Sequence, residues 1–366
     1  MKVTVLGTRG IPDVLGGVET HCQNLYPEMA SQSDIDITVI ARSPYVQYAR
    51  SEYHGVQLKS VWAPQKKSLE AILHSSLAAL TTLTDGSKVV QVHAIGPGLV
   101  VPLARLLGKR VVFTHHGPDY DRQKWGAFAK AILKLGEKMA VTYANDVIVI
   151  SEVINHLIKQ KYGRLDAHLI HNGVREPRPI DASVQQKILT KHGLAEKSYI
   201  VAVGRFVEEK GFHDLISAYQ KADIEQPLVL VGDADHPTPY SENLKHRAET
   251  TPGVQLTGFV SGDELQTIFS QAGLYVMPSY HEGLPIALLE AMSYSLPAIV
   301  SDIPANKEVK LEDRAYFPVS DVDALADKLQ QAHIGERCDY SAYLSKYNWA
   351  EIAQQTLNVW NKAAGK

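Results

Sequence analysis

The chain has 366 residues, of which 45% are hydrophobic and 21% charged, and its formal net charge is −3. This composition is typical of a globular protein in water and argues against a nucleic-acid-binding protein, which carries an excess of basic residues. Because domains average about 150 residues, the length predicts two domains.

The cysteines and the apolar runs indicate the cellular compartment. Cys22 and Cys338 are the two cysteines, far apart and without metal or redox spacing, which indicates a reducing compartment. The start MKVTVLG enters a strand at once, without the long apolar segment of a signal peptide. No apolar run approaches the roughly 20 residues of a membrane span. We therefore expect a cytoplasmic protein.

Short runs rich in β-branched residues alternate with longer helical segments, which predicts parallel strands covered by helices on both faces. In chain order the runs are KVTVLG, DITVIA, KVVQVHA, RVVFTHHG, DVIVIS, YIVAVG, PLVLVGD, VQLTGFV, LYVMPS and PAIVSD. Two prolines and a glycine in 170–181 separate the first five from the last five. We expect Rossmann-like domains at 1–175 and 176–347, with an amphipathic helix at 348–366 that packs back on the first.

A glycine pair, Gly16 and Gly17, lies in the loop GTRGIPDVLGGVET between the first strand and a helix predicted to begin near Val18. Without side chains in the way, backbone N–H groups there can approach a phosphate. The loop lacks the G-x-G-x-x-G pattern of a dinucleotide site. An ordinary strand-to-helix turn explains the loop equally well.

Two cations, Arg205 and Lys210, follow the first strand of the second half in VGRFVEEKG. Ligands of open α/β sheets bind at the carboxyl ends of the strands, where two cations could neutralise a diphosphate. A solvated basic pair is the alternative.

The segment PSYHEGLPIALLEAM places two acids, Glu282 and Glu290, on either side of a predicted helix start at which Pro285 fits the first helical position. Free N–H groups at a helix start attract a phosphate. The expected donors are Gly283, Leu284 and Ile286. Carboxylates beside a phosphate are tolerated when they accept hydrogen bonds from hydroxyls joined to it, as in a sugar nucleotide.

Histidines and acids at other strand ends give weaker signals. His115 and His116 follow the strand in VVFTHHG, where a histidine is more often a hydrogen-bonded residue than a catalytic one. Asp233, Asp235 and His236 in GDADHP could bind a divalent ion. Acids in such a loop commonly serve as turn and cap residues, and the two cations would make a metal redundant, so we expect no metal site.

Taken together, these segments resemble the retaining glycosyltransferases of family four, which have the GT-B fold of two Rossmann-like domains with parallel sheets facing a central cleft. The segments are GGVET, FTHHGPDYDRQKWG, HNGV, GRFVEEKG, GDADHP, PSYHEGLPIALLEAM and SDIPANKE. The resemblance covers nearly the whole chain.

The resemblance implies which residues hold the donor's diphosphate. Gly16 and Gly17 would approach it, and Arg205 and Lys210 would bind it.

The resemblance also implies contacts to the sugars. Glu282 would contact the donor sugar and Glu290 the nucleotide ribose. His116 occupies the histidine of a Thr-x-His-Gly pattern and would lie near the reacting sugar, with His115 at the variable place.

The implied activity is a metal-independent retaining hexosyl transfer from a nucleoside diphosphate sugar, with no further cofactor, to a hydroxyl acceptor in surface polysaccharide or glycolipid assembly. The leaving phosphate itself would take the acceptor's proton. Alternatives are a sugar-nucleotide epimerase, a retaining glycosidase built on Glu282 and Glu290, and a non-catalytic sugar-nucleotide-binding subunit. Nucleotide binding would argue against the glycosidase, and the presence of Lys210 and both acids argues against the non-catalytic subunit.

The segment 122–140 predicts a basic amphipathic helix. Its apolar stripe comprises Trp125, Phe128, Ile132, Leu135 and Met139, and its cations Arg122, Lys124, Lys130, Lys134 and Lys138 outnumber the single acid, Glu137. Either the stripe packs on the first sheet with the lysines solvated, or the helix contacts an anionic membrane, which would suit a lipid-linked acceptor.

Overall fold

Parallel β-sheets organise the chain in the computed structural model, which describes residues 1–14, 16–46, 48, 51–64, 70–121, 126–174, 176–234, 236–283 and 285–365. The chain divides into unit 1, Met1–Gly173 with Lys346–Lys366, and unit 2, Val174–Ser345. Each unit contains one sheet flanked by helices. The predicted fold class, α/β with two Rossmann-like domains, is confirmed.

In the described part of unit 1, eight strands form one sheet. They are β1 Lys2–Leu6, β2 Asp36–Arg42, β3 Glu52–Tyr53, β4 Val56–Val61, β5 Val89–His93, β6 Arg110–His115, β7 Asp146–Val149 and β8 His168–Leu169. Their spatial order is β3-β4-β2-β1-β5-β6-β7-β8, parallel apart from the antiparallel β3–β4 pair. Because the chain order reverses between β1 and β5, the carboxyl ends of these two strands form the crevice at which such sheets bind ligands.

The first five helices, all in unit 1, are α1 Gly17–Gln32, α2 Glu70–Thr81, α3 Val101–Leu106, α4 Ala127–Tyr143 and α5 Glu152–Tyr162. Short 3₁₀ turns lie at Ser43–Tyr45, Pro97–Val100 and Asp119–Asp121, and in the rest of the chain at Glu208–Lys210, Asp313–Ala315 and Ser345–Tyr347. Across the described residues, no helix combines the length and the apolar character that crossing a bilayer requires.

Unit 2 has a six-stranded sheet among its described residues. Its strands are β9 Ile200–Val203, β10 Leu228–Val231, β11 Val254–Gly258, β12 Leu274–Met277, β13 Ala298–Ser301 and β14 Tyr316–Phe317. The spatial order β11-β10-β9-β12-β13-β14 is the doubly wound order, with its reversal between β9 and β12. The loops after β9 and β12 therefore meet at one crevice of the sheet edge.

The remaining helices are α6 Ala182–Lys191, α7 Phe212–Ala222, α8 Pro239–Thr250, α9 Gly262–Ser270, α10 Ile286–Ser293, α11 Pro304–Lys307, α12 Val322–Gln330, α13 Ser341–Leu344 and α14 Trp349–Ala363. α14 packs on α1 in unit 1. Asn348 caps it, since its side-chain oxygen accepts from the Ala350 N–H at 2.8 Å. The predicted apolar stripe of this helix, which includes Trp360, is buried, and the Trp360 indole donates to Gln91 of β5 at 2.8 Å.

Strands β3, β4, β8 and β14 have no counterpart among the predicted runs. Three of them contain two residues each, and β4 carries a mixed pattern of buried and exposed residues. All four lie at or next to a sheet edge. An edge strand needs no continuous apolar run, because its outer side is not covered by another strand.

Candidate active site

The loop after β1 is closed by a buried carboxylate. Glu19 in the first turn of α1 is 5% exposed and accepts from the Arg9 backbone N–H at 2.9 Å and from Arg9 Nη2 at 3.2 Å. Gly16 has a φ of 143°, and a Cβ built there would lie 2.1 Å from Glu19 Oε2. Gly16 is therefore required by the loop itself, whereas a Cβ on Gly17 would meet no described atom within 4 Å.

Three histidines meet at the carboxyl ends of the unit 1 strands. His93 ends β5, His116 follows β6, and His21 lies on α1. The His21 ring lies 4.9 Å from the His116 ring and 5.5 Å from the His93 ring, measured between centroids. His116 was the predicted member of this cluster; the sequence had not singled out His21 or His93.

Burial sets the protonation of this cluster. It lowers the pKa of His21 to about 4 and holds the pKa values of His93 and His116 well below the ordinary value. All three rings are therefore neutral at pH 7, each with one donor and one acceptor nitrogen. His21 Nδ1 donates to the Asn172 side-chain oxygen at 2.6 Å, which leaves Nε2 as the acceptor.

A hydrogen-bonded chain joins Tyr26, His93 and His116. The Tyr26 hydroxyl contacts His93 Nε2, and His93 Nδ1 lies 2.8 Å from His116 Nε2. If Tyr26 donates, His93 must donate to His116, and His116 Nδ1 then carries a proton. If the order is reversed, His116 Nδ1 is an acceptor. The state of Tyr26 and His93 thus decides whether His116 offers a donor or a base.

The same histidines have the composition of a zinc ligand set. Their potential ligand nitrogens all lie within 4.8 Å of one another, and three neutral imidazoles are a common zinc set. The His93 and His116 nitrogens are 2.8 Å apart, closer than the ~3.3 Å between two nitrogens bound tetrahedrally to one zinc ion at the usual bond length. The observed geometry fits a hydrogen-bonded cluster better than a metal centre.

His115 belongs to a different, buried network. Its Nε2 donates to Glu137 Oε1 at 2.9 Å, and its Nδ1 accepts from the Gly117 N–H at 3.1 Å. Lys161 and Tyr162 also contact the Glu137 carboxylate, each at 2.5 Å. His115 and these cationic and hydroxyl partners hold the pKa of Glu137 at about 2, despite its burial. This network fastens α4 and α5 to β6.

In unit 2, Lys210 and Glu282 form an ion pair at the crevice between β9 and β12. Lys210 Nζ lies 2.6 Å from Glu282 Oε1, and the Ser279 hydroxyl donates to the same oxygen at 2.7 Å. The two charged side chains are 19% and 13% exposed. The sequence predicted that both residues bind the same sugar-nucleotide donor, but it did not predict that they contact each other.

The turn that carries Lys210 is fixed to the loop that carries Glu282. The Tyr280 N–H donates to the Glu209 carbonyl at 2.8 Å. Gly211 has a φ of 66°, and a Cβ there would lie 2.2 Å from the Pro278 carbonyl oxygen. The two loops therefore approach each other more closely than any other residue at 211 would allow. Arg205, the second predicted cation, is half-buried just after β9.

The predicted helix start needs one correction. α10 begins at Ile286, and Pro285 is its N-cap rather than its first residue. The Pro285 carbonyl accepts from the Leu288 N–H at 3.0 Å, so the capping position lies one residue later than predicted. The first-turn N–H groups of Ile286 and Ala287 lack helical acceptors by their position. Leu284, a predicted donor, lies outside the described residues.

Glu282 and Glu290 act on a common neighbour. Tyr275 of β12 is fully buried, and its pKa is raised well above the ordinary value by burial and by the charges of Glu282 and Glu290. Both carboxylates are therefore close enough to the sheet edge to act on one phenol. The Tyr275 hydroxyl is buried without a hydrogen-bond partner among the described residues.

Asp233 of the GDADHP loop has hydrogen-bond and charge partners within unit 2. Asp233 Oδ1 accepts from the Ala234 N–H at 2.7 Å and pairs with Lys245 at 2.6 Å. His236 is exposed. Asp235 lies outside the described residues.

Two family models match the two halves of the chain. The model described as Glycosyltransferase Family 4 matches residues 15–177, and the model described as Glycosyl transferases group 1 matches residues 184–348. The first match covers the glycine pair and the histidine cluster, and the second covers the Lys210–Glu282 pair.

Similar proteins support the same relationship. An alpha-maltose-1-phosphate synthase of Mycolicibacterium smegmatis is 25% identical, with 100% of each chain covered. A putative teichuronic acid biosynthesis glycosyltransferase of Bacillus subtilis is 30% identical over 52% of this chain and 46% of its own length. The crystal structure of Anabaena HepE with UDP and glucose has a TM-score of 0.81 at 17% identity, covering 99% of this chain and 100% of that one. The last likeness establishes the GT-B fold.

Proposed function

Because the chain belongs to the glycosyltransferases, with a family 4 first half and a group 1 second half, we propose that it transfers a sugar from a nucleoside diphosphate sugar to a hydroxyl acceptor. In this proposal the anomeric configuration is retained and no metal is needed. The acceptor is an intermediate of surface polysaccharide or glycolipid assembly. The crystallised Anabaena relative is described with UDP and glucose, which supports a nucleotide-sugar donor.

The Lys210–Glu282 pair is the observation that carries the proposal. The two charges lie 2.6 Å apart at the crevice where sheets of this order bind nucleotides. A bound donor would give each a separate partner, the diphosphate for Lys210 and a sugar hydroxyl for Glu282. A glycosidase works differently, because its two carboxylates flank the scissile bond as nucleophile and acid, whereas Glu282 here is paired with a lysine.

The start of α10 supplies the second part of the donor site. Its free N–H groups favour an anion, and Arg205 stands across the same sheet edge after β9. Gly283 lies between Glu282 and this helix. We assign Glu290, four residues into α10, to the ribose hydroxyls, because a carboxylate facing hydroxyls gains charge-assisted hydrogen bonds.

In the proposed reaction the diphosphate leaves as negative charge grows on it, and Arg205, Lys210 and the α10 N–H groups stabilise that charge. The leaving phosphate accepts the proton of the attacking hydroxyl on the same face of the sugar. Gly17 at the start of α1 offers backbone N–H access to the diphosphate. His116 is assigned to the reacting sugar, with its hydrogen-bonding character set by Tyr26 and His93.

We further infer a cytoplasmic enzyme with a lipid-linked acceptor that contacts the membrane through 122–140. Of that segment, the basic and aromatic residues of 122–125 lie outside the described residues. Phe128 and Leu135 of the predicted stripe are 79% and 49% exposed. Ile132 and Met139 of the stripe are half-buried, and the residues that α4 buries are Gly136, Glu137, Ala140 and Val141. The exposure of Phe128 and Leu135 supports the membrane contact over the competing prediction that the whole stripe packs on the sheet.

A panel of nucleotide sugars and nucleoside diphosphates tests the proposal through thermal unfolding. A ligand at 100 times its dissociation constant adds about 2.7 kcal/mol to the free energy of unfolding. We expect one base to stabilise the protein, and Glu290→Gln to reduce that stabilisation. If no member of the panel shifts the unfolding temperature, the proposed donor class is wrong.

A further inference from the structure

Three neighbouring helices of unit 1 expose an apolar face that the proposed chemistry does not use. α3 packs against both α2 and α4. Six large apolar side chains of these helices, and Leu83 just after α2, are between 39% and 85% exposed. This leucine face comprises Leu73, Leu77, Leu80, Leu83, Leu106, Phe128 and Leu135. Single exposed leucines are ordinary, but a cluster of this size marks an interaction surface.

The exposed leucines of α2 follow the helical period. The orientation of this helix is opposite to that of a usual surface helix, which turns its apolar face to the core. Leu73, Leu77 and Leu80 are spaced by four and three residues along α2, so they form one stripe. The side of α2 that faces the unit holds small and polar residues, namely His74, Ser75, Ala78 and Ala79. A surface helix normally buries its leucines and exposes its polar side.

α4 shows the same reversal. It buries Gly136, Ala140 and the Glu137 carboxylate while it exposes Phe128 and Leu135. The buried Glu137 is stabilised by its contacts with β6 and α5. The outward apolar side is thus built into the packing of unit 1, because rotating α4 to bury Phe128 would break the Glu137 network.

The exposed charged side chains of α2, α3 and α4 are all basic. Lys134 and Lys138 are exposed on α4 and Lys130 is half-buried. The acids within the described residues of α2, α3 and α4 are Glu70 and Glu137, both buried and paired, with Arg42 at 3.1 Å and with Lys161 at 2.5 Å.

We propose that the leucine face docks on the anionic surface of a lipid bilayer. Leucine and phenylalanine side chains would enter the boundary between headgroups and acyl chains, and the lysines of α4 would contact lipid phosphates. A protein partner or a second copy fits less well, because lysine is depleted at protein interfaces. This docking deepens the membrane contact proposed above for 122–140 by extending it to α2 and α3, and the lipid-linked acceptor that it favours rests on the proposed function.

Sedimentation with vesicles tests this docking. The wild-type protein should sediment with vesicles of phosphatidylcholine and phosphatidylglycerol at low salt, and much less with phosphatidylcholine alone or at high salt. Lys134→Glu with Lys138→Glu should weaken the partition at least about 25-fold, because each cation near such a surface contributes about fivefold. Lys59→Glu with Lys187→Glu, a matched change at exposed lysines outside the layer, should have no effect.

A second set of variants tests the apolar contribution. Leu77→Ser, Leu80→Ser and Phe128→Ser together should weaken vesicle binding at both low and high salt, while Leu165→Ser, at a residue 77% exposed elsewhere in unit 1, should not. Because these side chains are exposed, we expect the variants to unfold at the same temperature as the wild type. Thermal unfolding is measured on the same samples as a control.

Several outcomes would overturn the inference. These are failure of the wild type to sediment at low salt, equal binding to neutral and anionic vesicles, or a lipid-free dimer that the serine variants dissociate. Nucleotide-induced stabilisation is measured on the same samples. Vesicle binding without nucleotide stabilisation would leave the docking surface intact and remove the proposed function, and the opposite result would remove the docking surface alone.

Discussion

Replacing Lys210 by methionine removes one charge from the proposed donor site and keeps the length of the side chain. In the free protein this lysine neutralises Glu282 at 2.6 Å, and Ser279 holds the same carboxylate oxygen at 2.7 Å. After the change Glu282, whose side chain is only 13% exposed, would keep the Ser279 hydrogen bond and lose its charge partner. We therefore expect a loss of about 1–3 kcal/mol in the free energy of unfolding, the cost of leaving a largely buried polar group without a partner.

The expected effect on catalysis is separate from this loss of stability. A positioned group that stabilises charge in the transition state contributes about 10²–10³ in turnover, or roughly 3–4 kcal/mol. Lys210→Met should therefore lower turnover by that factor under conditions in which the variant is fully folded. A merely structural ion pair would lower the stability and leave the turnover of the folded variant unchanged.

Turnover and chemical unfolding should be measured on Lys210→Met and on Lys221→Met. Lys221 also pairs with an acid in unit 2, Asp323, but both side chains are more than half exposed and lie on α7 and α12. The control should keep wild-type turnover. Near-normal turnover and donor affinity in Lys210→Met would refute the assignment of this lysine to the diphosphate.

Other changes have equally definite outcomes. Glu290→Gln should weaken nucleotide binding by about 1.5–3 kcal/mol in calorimetry; an equal loss with a nucleotide lacking both ribose hydroxyls would place the carboxylate elsewhere. His93→Phe, which removes the partner of His116, should lower kcat roughly tenfold or more with little change in KM; equal effects on kcat and KM would make the contact structural. Since the pKa of His21 falls from 6.5 in the unfolded chain to about 4 in the fold, the unfolded state gains protons first on acidification. Chemical unfolding should show stability intact above pH 6.5 and a loss on the order of 3 kcal/mol by pH 4; constant stability over this range would contradict the buried neutral cluster.

The sheets were predictable because their central strands are buried on both faces. β1 and β9 are largely buried runs rich in β-branched residues, each followed by glycine, and both lie at the centre of their sheets. β4 escaped prediction because its exposed lysine and serine interrupt the apolar pattern. The apolar pattern in the sequence therefore indicates which strands are buried, and it does not detect a strand that is partly exposed.

The helix faces were less predictable. Periodicity locates an apolar stripe but does not determine whether it faces the core or an outside partner. On α4 the answer depends on Glu137, whose partners His115, Lys161 and Tyr162 come from other elements. Such pairing is tertiary, so the sequence of 122–140 alone left both orientations open.

Individual site residues were predictable where loop position determines them. Lys210 and Glu282 follow neighbouring strands and meet as the topology requires. His93 had a comparable signal, a histidine ending the run KVVQVHA beside the strand that precedes His116. The sequence gives a weaker signal for His21, because the position of this residue at the cluster depends on how α1 packs on the sheet. The helix start at Ile286 differed by one residue because proline suits an N-cap or a first-turn position similarly in sequence terms.

The central claim, retaining transfer from a nucleotide sugar, is tested most directly by the products of one reaction. The protein is incubated with the donor that stabilises it and with a lipid-linked or soluble hydroxyl acceptor, and NMR follows the released nucleotide and the new anomeric centre. We predict nucleoside diphosphate release that depends on the acceptor, with the donor's anomeric configuration retained in the product. Inverted configuration, or an altered donor sugar formed without any acceptor, would contradict it.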